Sequence, residues 1–203
     1  MTGSILAGAV TVIVFAFVAF LLYGLFQNGN NKDAEAQRAA GREGEDIIER
    51  EIRSVLNYDD FIIRNAEIIC GSSRREFDFI IVNSNGVFII ETKNYRGYLT
   101  GKENDYNWGK YHVSGAGNVY YKEARNPILQ SAGQAGFLGR YLRSYGVNVW
   151  VDGYAVILGS DSPVKSDRIL YNRGDIDRAI HSPKQYRLNA ETVSAIKRIL
   201  SQV

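Results

Sequence analysis

The chain has 203 residues, 45% of them apolar, and a formal net charge of +2, a balance that neither demands nor excludes a nucleic-acid partner. Cys70 is the only cysteine, so no intramolecular disulfide can form, and with only His112 and His181 beside it a Cys/His zinc centre is excluded. Any metal must be held mainly by oxygen ligands.

Apolar residues are unevenly spent, since Ile5 to Phe26 contains no charge. At the helical rise this segment is roughly 33 Å long, against a hydrocarbon core of about 30 Å. A single transmembrane helix over 5–26 is expected. The competing reading is a cleaved signal peptide, but Met1 to Ser4 supplies no Lys or Arg, and the run is longer than a signal's apolar core. Lys32, Arg38 and Arg42 follow the segment with no basic side chain before it, which points to a cytoplasmic location for the rest. Residues 27–39 read as a linker, and 40–203 as one domain with one hydrophobic core.

Within that domain, Ile48, Ile52 and Leu56 recur at four-residue spacing between Glu43 and Leu56, beside a row of Ile47, Glu51 and Val55, as in an amphipathic helix. Asn57, Asp59 and Asp60 end it, and Phe61 to Ile63 and Ile68 to Cys70 read as short strands. The clearest strand pair is Glu76 to Val82 and Val87 to Lys93, joined by a four-residue loop, Asn83 to Gly86. Pairing Val82 with Val87 sets Asp78 opposite Glu91 and Glu76 opposite Lys93, with Cβ atoms about 4.5–5.5 Å apart. Gly97 to Gly117, rich in Gly, Asn and Tyr, reads as an irregular excursion or a short extra hairpin at the rim of a site. Asn126 and Pro127 suit the N-cap and first turn of a helix that ends before Gly146 and carries Gln130 near its start. Val147 to Leu158 follows as one interrupted strand or two short ones, and Glu191 to Leu200 as a last helix. The succession is that of a mixed α/β fold.

Asp78 with Glu91-Thr92-Lys93 is the sharpest constellation. Carboxylates set among FDFIIV and VFIIE need compensation, and two facing each other can share a hard cation while Lys93 lies one pleat from Glu91. The competing reading is a Glu76–Lys93 ion pair with solvated Asp78 and Glu91 at a sheet edge. The ordered segments GREGEDIIEREI, REFDFIIVNSNGVFIIETKNYRG and NPILQ resemble the nuclease-related domain, a family of the PD-(D/E)XK, restriction-endonuclease-like group, over about Ala40 to Leu158. This resemblance implies a mixed central sheet flanked by helices and a magnesium-dependent phosphodiesterase centre, with manganese as a substitute. It matches Asp78 to the family's strand aspartate, Glu91 and Lys93 to its E-x-K, Gln130 to the glutamine after N-P, and Glu45 to the acid of the first helix. Glu49, one turn further, is the alternative to Glu45.

On this resemblance Asp78, Glu91 and Glu45 are the expected metal ligands, Lys93 orients water and stabilises developing charge, and Gln130 positions water or phosphate. Arg96, Lys102, Lys110, Lys122 and Arg125 are expected contacts to a nucleic-acid backbone, with Tyr98, Tyr106 and Trp108 as surfaces for base stacking. All of these also fit ordinary solvated loops and packed aromatic faces. DNA is the expected substrate and RNA stays open. The Gly-rich stretches AGREGE and SGAGN lack the phosphate-loop and dinucleotide fingerprints, so ATP and NAD are not expected. A different class of function stays in view: a catalytically inactive, membrane-associated module that binds nucleic acid or protein.

Overall fold

Two adjacent runs of β-branched and aromatic residues organise the central sheet. Ser73–Asn83 (β2) and Gly86–Asn94 (β3) pair antiparallel with Val82 opposite Val87, the register expected from sequence. Asn83 itself pairs with Gly86, so the expected four-residue loop is a two-residue turn, Ser84 and Asn85. The reason is local: Asn83 Oδ1 accepts the Asn85 N–H at 2.8 Å, and Gly86 takes φ 154°, open to a residue without a side chain.

The computed structural model describes residues 35, 38–115, 117–185 and 187–203. The expected transmembrane segment 5–26 and most of the linker lie outside them, and among the described residues no helix is long and apolar enough to cross a membrane. Met1–Arg42 and Glu43–Val203 are separate units, and all that follows concerns the second.

A helix ending at residue 55 (α1) leads into Phe61–Cys70 (β1), one continuous strand where two short ones were expected. What interrupts its pattern is a change of face. Phe61 and Ile63 pack into the same core as Ala66 and Ile68, so the inward residues switch from odd to even numbers around Asn65. Asn65 has φ 53°, the only positive φ outside glycine among the described residues. On β2 the same switch falls at Asp78, between Phe77 and Ile80 of that core. Paired kinks of this kind re-aim a side chain and end a ladder, and the β2–β3 ladder does stop at Phe79–Ile90.

Asn94 is followed by a small second sheet, Tyr98–Thr100 (β4), Asn107–Val113 (β5) and Val119–Arg125 (β6), antiparallel with β5 in the middle. The excursion expected at Gly97 to Gly117 thus has more regular structure than its composition indicates. Pro127–Ser144 (α2) then crosses to Val151–Leu158 (β7), which pairs parallel with β3 as one uninterrupted strand. Ile169–Leu170 (β8) joins parallel to β7, giving the order β1-β2-β3-β7-β8. Arg173–His181 (α3) and Ala190–Leu200 (α4) complete the unit; α3 and β8 have too few apolar residues to be read from pattern.

The sheet is buried on both faces, which is why β2 and β3 read as nearly continuous apolar runs. On one face Leu138 and Leu142 of α2 and Ile196 and Leu200 of α4 cover Ile80, Val82 and Ile89. On the other, Ile48 and Ile52 of α1 and Ile176 and Ile180 of α3 cover Phe79, Ile81, Phe88 and Ile90. Cys70 is half-buried against the first of these cores. The small sheet is seated by Leu99 and Trp108, which pack with Ile128 and Ile169.

Candidate active site

The carboxyl end of β3 is where the fold turns polar. Glu91 follows four fully or almost fully buried residues, Val87 to Ile90, and is itself only 2% exposed. A carboxylate at that depth requires donors, and three reach it. Lys93 Nζ pairs with Oε1 from one pleat further along the strand. From α2, Gln130 Nε2 donates to Oε1 at 2.5 Å and Gln134 Nε2 to Oε2 at 2.7 Å.

Placement of the two glutamines follows from the start of α2. Asn126 is fully buried; its side chain accepts the Ile128 N–H at 3.0 Å and donates to the carbonyls of Glu103 and Asp105 at 2.7 and 2.8 Å. The cap therefore ties the helix to the β4–β5 loop and fixes its first turn. Gly153 of β7 allows the helix in close, since a Cβ there would stand 2.5 Å from the Ser131 carbonyl oxygen. Gln134 was missed from sequence, although it lies one helical turn beyond Gln130 and so shares its face. It also donates to the Glu76 carbonyl at 2.9 Å, while its Oε1 is buried with no partner.

Asp78 sits at the β2 kink, and its Oδ2 accepts the Thr92 backbone N–H at 2.7 Å. Because the ladder has ended, this contact replaces simple opposition to Glu91, and Glu76 makes no ion pair with Lys93. Burial, and then the charge of Glu91, push the Asp78 carboxyl up to about 7, against the opposing pull of the Thr92 N–H and Lys93. Tyr95, just beyond β3, is driven up to about 12 by burial and by the same Glu91 charge.

Glu45 and Glu49 of α1 are engaged elsewhere. Arg64 of β1 pairs with Glu49 at 2.7 Å and Asp46 at 2.6 Å, with Glu45 at 3.5 Å, and Arg53 takes Glu49 at 2.6 Å. Glu45 is near enough for its charge to raise Asp78 slightly. Among the described residues no group of three or more His, Cys, Asp or Glu is placed to hold a metal ion. The convergent acids are two, Asp78 and Glu91, with the unpartnered oxygen of Gln134 beside Glu91. An all-oxygen set whose carboxylates repel one another matches the preference of a hard divalent cation.

Of the expected backbone contacts, Arg125 shares a cavity with the two glutamines that hold Glu91. With Arg74, Arg75, Glu76, Gln130 and Gln134 it lines a cavity of about 340 Å³. Lys110 and Lys122 pair across β5 and β6; burial, then Lys122 and Arg96, pull the Lys110 ammonium below its ordinary range. Lys102 lies in the β4–β5 loop, where its carbonyl accepts the Trp108 Nε1–H at 2.9 Å. Contrary to the expectation of a stacking surface, Trp108 is fully buried and presents no ring to a base, whereas Tyr98 and Tyr106 are exposed.

A five-stranded mixed sheet flanked by helices, with an Asp, a Glu-x-Lys and a helix-borne Gln gathered at one strand end, places this chain among α/β proteins of the restriction-endonuclease-like class. More specifically, residues 40–158, over half of the chain, match the nuclease-related domain model, and the chain belongs to that family. An uncharacterized protein of Bacillus anthracis is 28% identical over 69 residues, which is 34% of this chain and 32% of the relative. The match therefore spans about a third of that relative's length. No solved structure matches.

Proposed function

We propose that this chain is a membrane-anchored, magnesium-dependent nuclease that hydrolyses phosphodiester bonds, with DNA as the principal substrate and RNA as the alternative. The carrying observation is the convergence of Lys93, Gln130 and Gln134 on a carboxylate that is 2% exposed, with a second acid, Asp78, near enough to be repelled by it. A purely structural sheet end has no need of two costly acids. Asp78 and Glu91 would hold the cation, with Glu45 next in line and Glu49 as its alternative. When bound, magnesium or manganese polarises the phosphodiester and lowers the pKa of the attacking water.

The chain's own groups supply position. Lys93 presents its ammonium at the same edge, able to orient the water and to offset charge developing on phosphorus-bound oxygens. Gln130 and Gln134 cannot exchange protons at neutral pH; their amide N–H groups hold the Glu91 carboxylate in position. Arg125 and the cavity it shares with Arg74 and Arg75 offer guanidinium donors to flanking phosphates. Anchoring rests on the charge-free segment 5–26.

The test is cleavage by the full chain in detergent, on single-stranded, duplex and supercoiled DNA and on RNA, with magnesium, manganese or EDTA. Glu91→Ala and Lys93→Ala are expected to lower turnover by about a hundredfold or more. Undiminished activity in either variant would sink the assignment. A folded chain that binds nucleic acid but cleaves none would favour the inactive binding module.

A further inference from the structure

The small sheet carries more exposed aromatic surface than its seating requires. Leu99 and Trp108 bury one face of it in the third core. On the other face, the register sets Tyr98 beside Tyr111 and Tyr111 beside Tyr121, so three tyrosines form one row across β4, β5 and β6. They are 70%, 38% and 55% exposed. The rings of Tyr111 and Tyr121 stand 5.1 Å apart and tilted by 53°. Both lean over Gly109, where a Cβ would lie 3.0 Å from Tyr121 Cε2 and 3.5 Å from Tyr111 Cε2. The missing side chain thus lets the rings tilt toward the end of the sheet that holds Arg125. Arg125 is the fourth residue beyond Tyr121 on β6, about 13 Å along the strand, and it shares its cavity with Gln130 of the acid centre.

An exposed aromatic row on a short sheet is a liability for aggregation unless a ligand uses it. The charge at one end of this row indicates an anion: Arg125 lies along the same face, beyond Glu123, and shares its cavity with Arg74 and Arg75, whereas Lys110 and Lys122 alternate to the seated face. A ligand that is anionic along its backbone and planar in its side groups is a nucleic-acid strand. In a duplex the flat faces of the bases are hidden in the stack, whereas in an unpaired strand they are free to lie on tyrosine rings.

We propose that Tyr98, Tyr111 and Tyr121 form a stacking platform that delivers unpaired strands past Arg125 to the Asp78–Glu91 centre. Single strands, tails and flaps, rather than continuous duplex, are then the substrate class. This rests on the nuclease reading for the delivery step, but the platform is measurable without cleavage.

In EDTA, the full chain in detergent should bind a labelled oligothymidine of about 16 nucleotides roughly tenfold more tightly than the corresponding duplex. Tyr111→Ala/Tyr121→Ala should remove about that factor for the single strand and leave the duplex unchanged, while Tyr111→Phe/Tyr121→Phe, which keeps the rings, should bind like the parent. Tyr98→Ala, at an exposed edge, repeats the test with a smaller loss should the double variant fold poorly. Unchanged single-strand affinity in the alanine variants, or an equal loss for single strand and duplex, overturns the platform. Cleavage is scored separately in magnesium. Tyrosine-dependent binding without cleavage sinks the nuclease reading alone, and cleavage indifferent to the tyrosines sinks the platform alone.

Discussion

At the scale of single residues, the centre balances one satisfied carboxylate against one that is held uncomfortably. Glu91 has a lysine and two glutamine donors, whereas Asp78 has one backbone N–H and a charged neighbour. Its folded pKa, about 7, lies above that of a free carboxylate. The native state therefore binds more protons than the unfolded one between about pH 4 and 7, and loses stability as the pH rises through that interval. Asp78→Asn keeps an oxygen for the Thr92 N–H but carries no charge. Metal-free Asp78→Asn is expected to melt above the parent at pH 8, with the gap closing toward pH 4, and to be catalytically inert. Thermal denaturation across that range checks it, and a parent that is equally stable throughout would refute the repulsion.

At the scale of elements, two polar joints add to what the cores hold. The first is Asn126, cap of α2 and clasp of the β4–β5 loop. Asn126→Ala removes a cap and strands two carbonyls, and should cost about 2 kcal/mol or more in urea unfolding. Because Gln130 is in the turn that the cap sets, turnover should fall even where the variant is fully folded. The second joint is His181 at the end of α3, whose ring nitrogens meet Asp177 at 2.6 Å and Asp60 at 2.8 Å. Burial pulls its pKa down, but the two aspartates outweigh that and raise it above 6.5. The joint's contribution is present below the ordinary histidine pKa and is lost as the pH rises through the folded value. His181→Gln should therefore destabilise more at pH 6 than at pH 9 in paired urea titrations; an equal loss at both would show a bond that does not depend on charge.

At the scale of the whole molecule, the proposal divides the chain into an anchor and a site. The full chain should sediment with membranes and resist extraction by alkaline carbonate, whereas deletion of residues 1–34 should release it. Recovery of the full chain in the supernatant would end the anchored reading without touching the nuclease centre. The topology also explains how distant segments meet. The β3–β7 crossover carries both the small sheet and α2, so the two glutamines that contact Glu91, the rim, and the tyrosine row all lie between two strands that pair with each other.

By itself the sequence determined the β2–β3 register and the Asn-Pro start of α2, because each depends on period-two pairing or on local backbone preference; the Asp, Glu-x-Lys and Gln set was singled out with the help of the family resemblance. The same local rules misjudged β1, where a change of face at Asn65 looks like the end of one strand and the start of another. Only the tertiary structure decided what the polar residues face. Gln134 joins Glu91 because Gly153 lets α2 close on β7, and Glu45 and Glu49 turn to Arg64 because β1 lies beside α1. Trp108 is core while Tyr111 and Tyr121 are surface because one face of a three-stranded sheet found a partner and the other did not. Such choices rest on contacts between residues far apart in the chain, which no local period encodes.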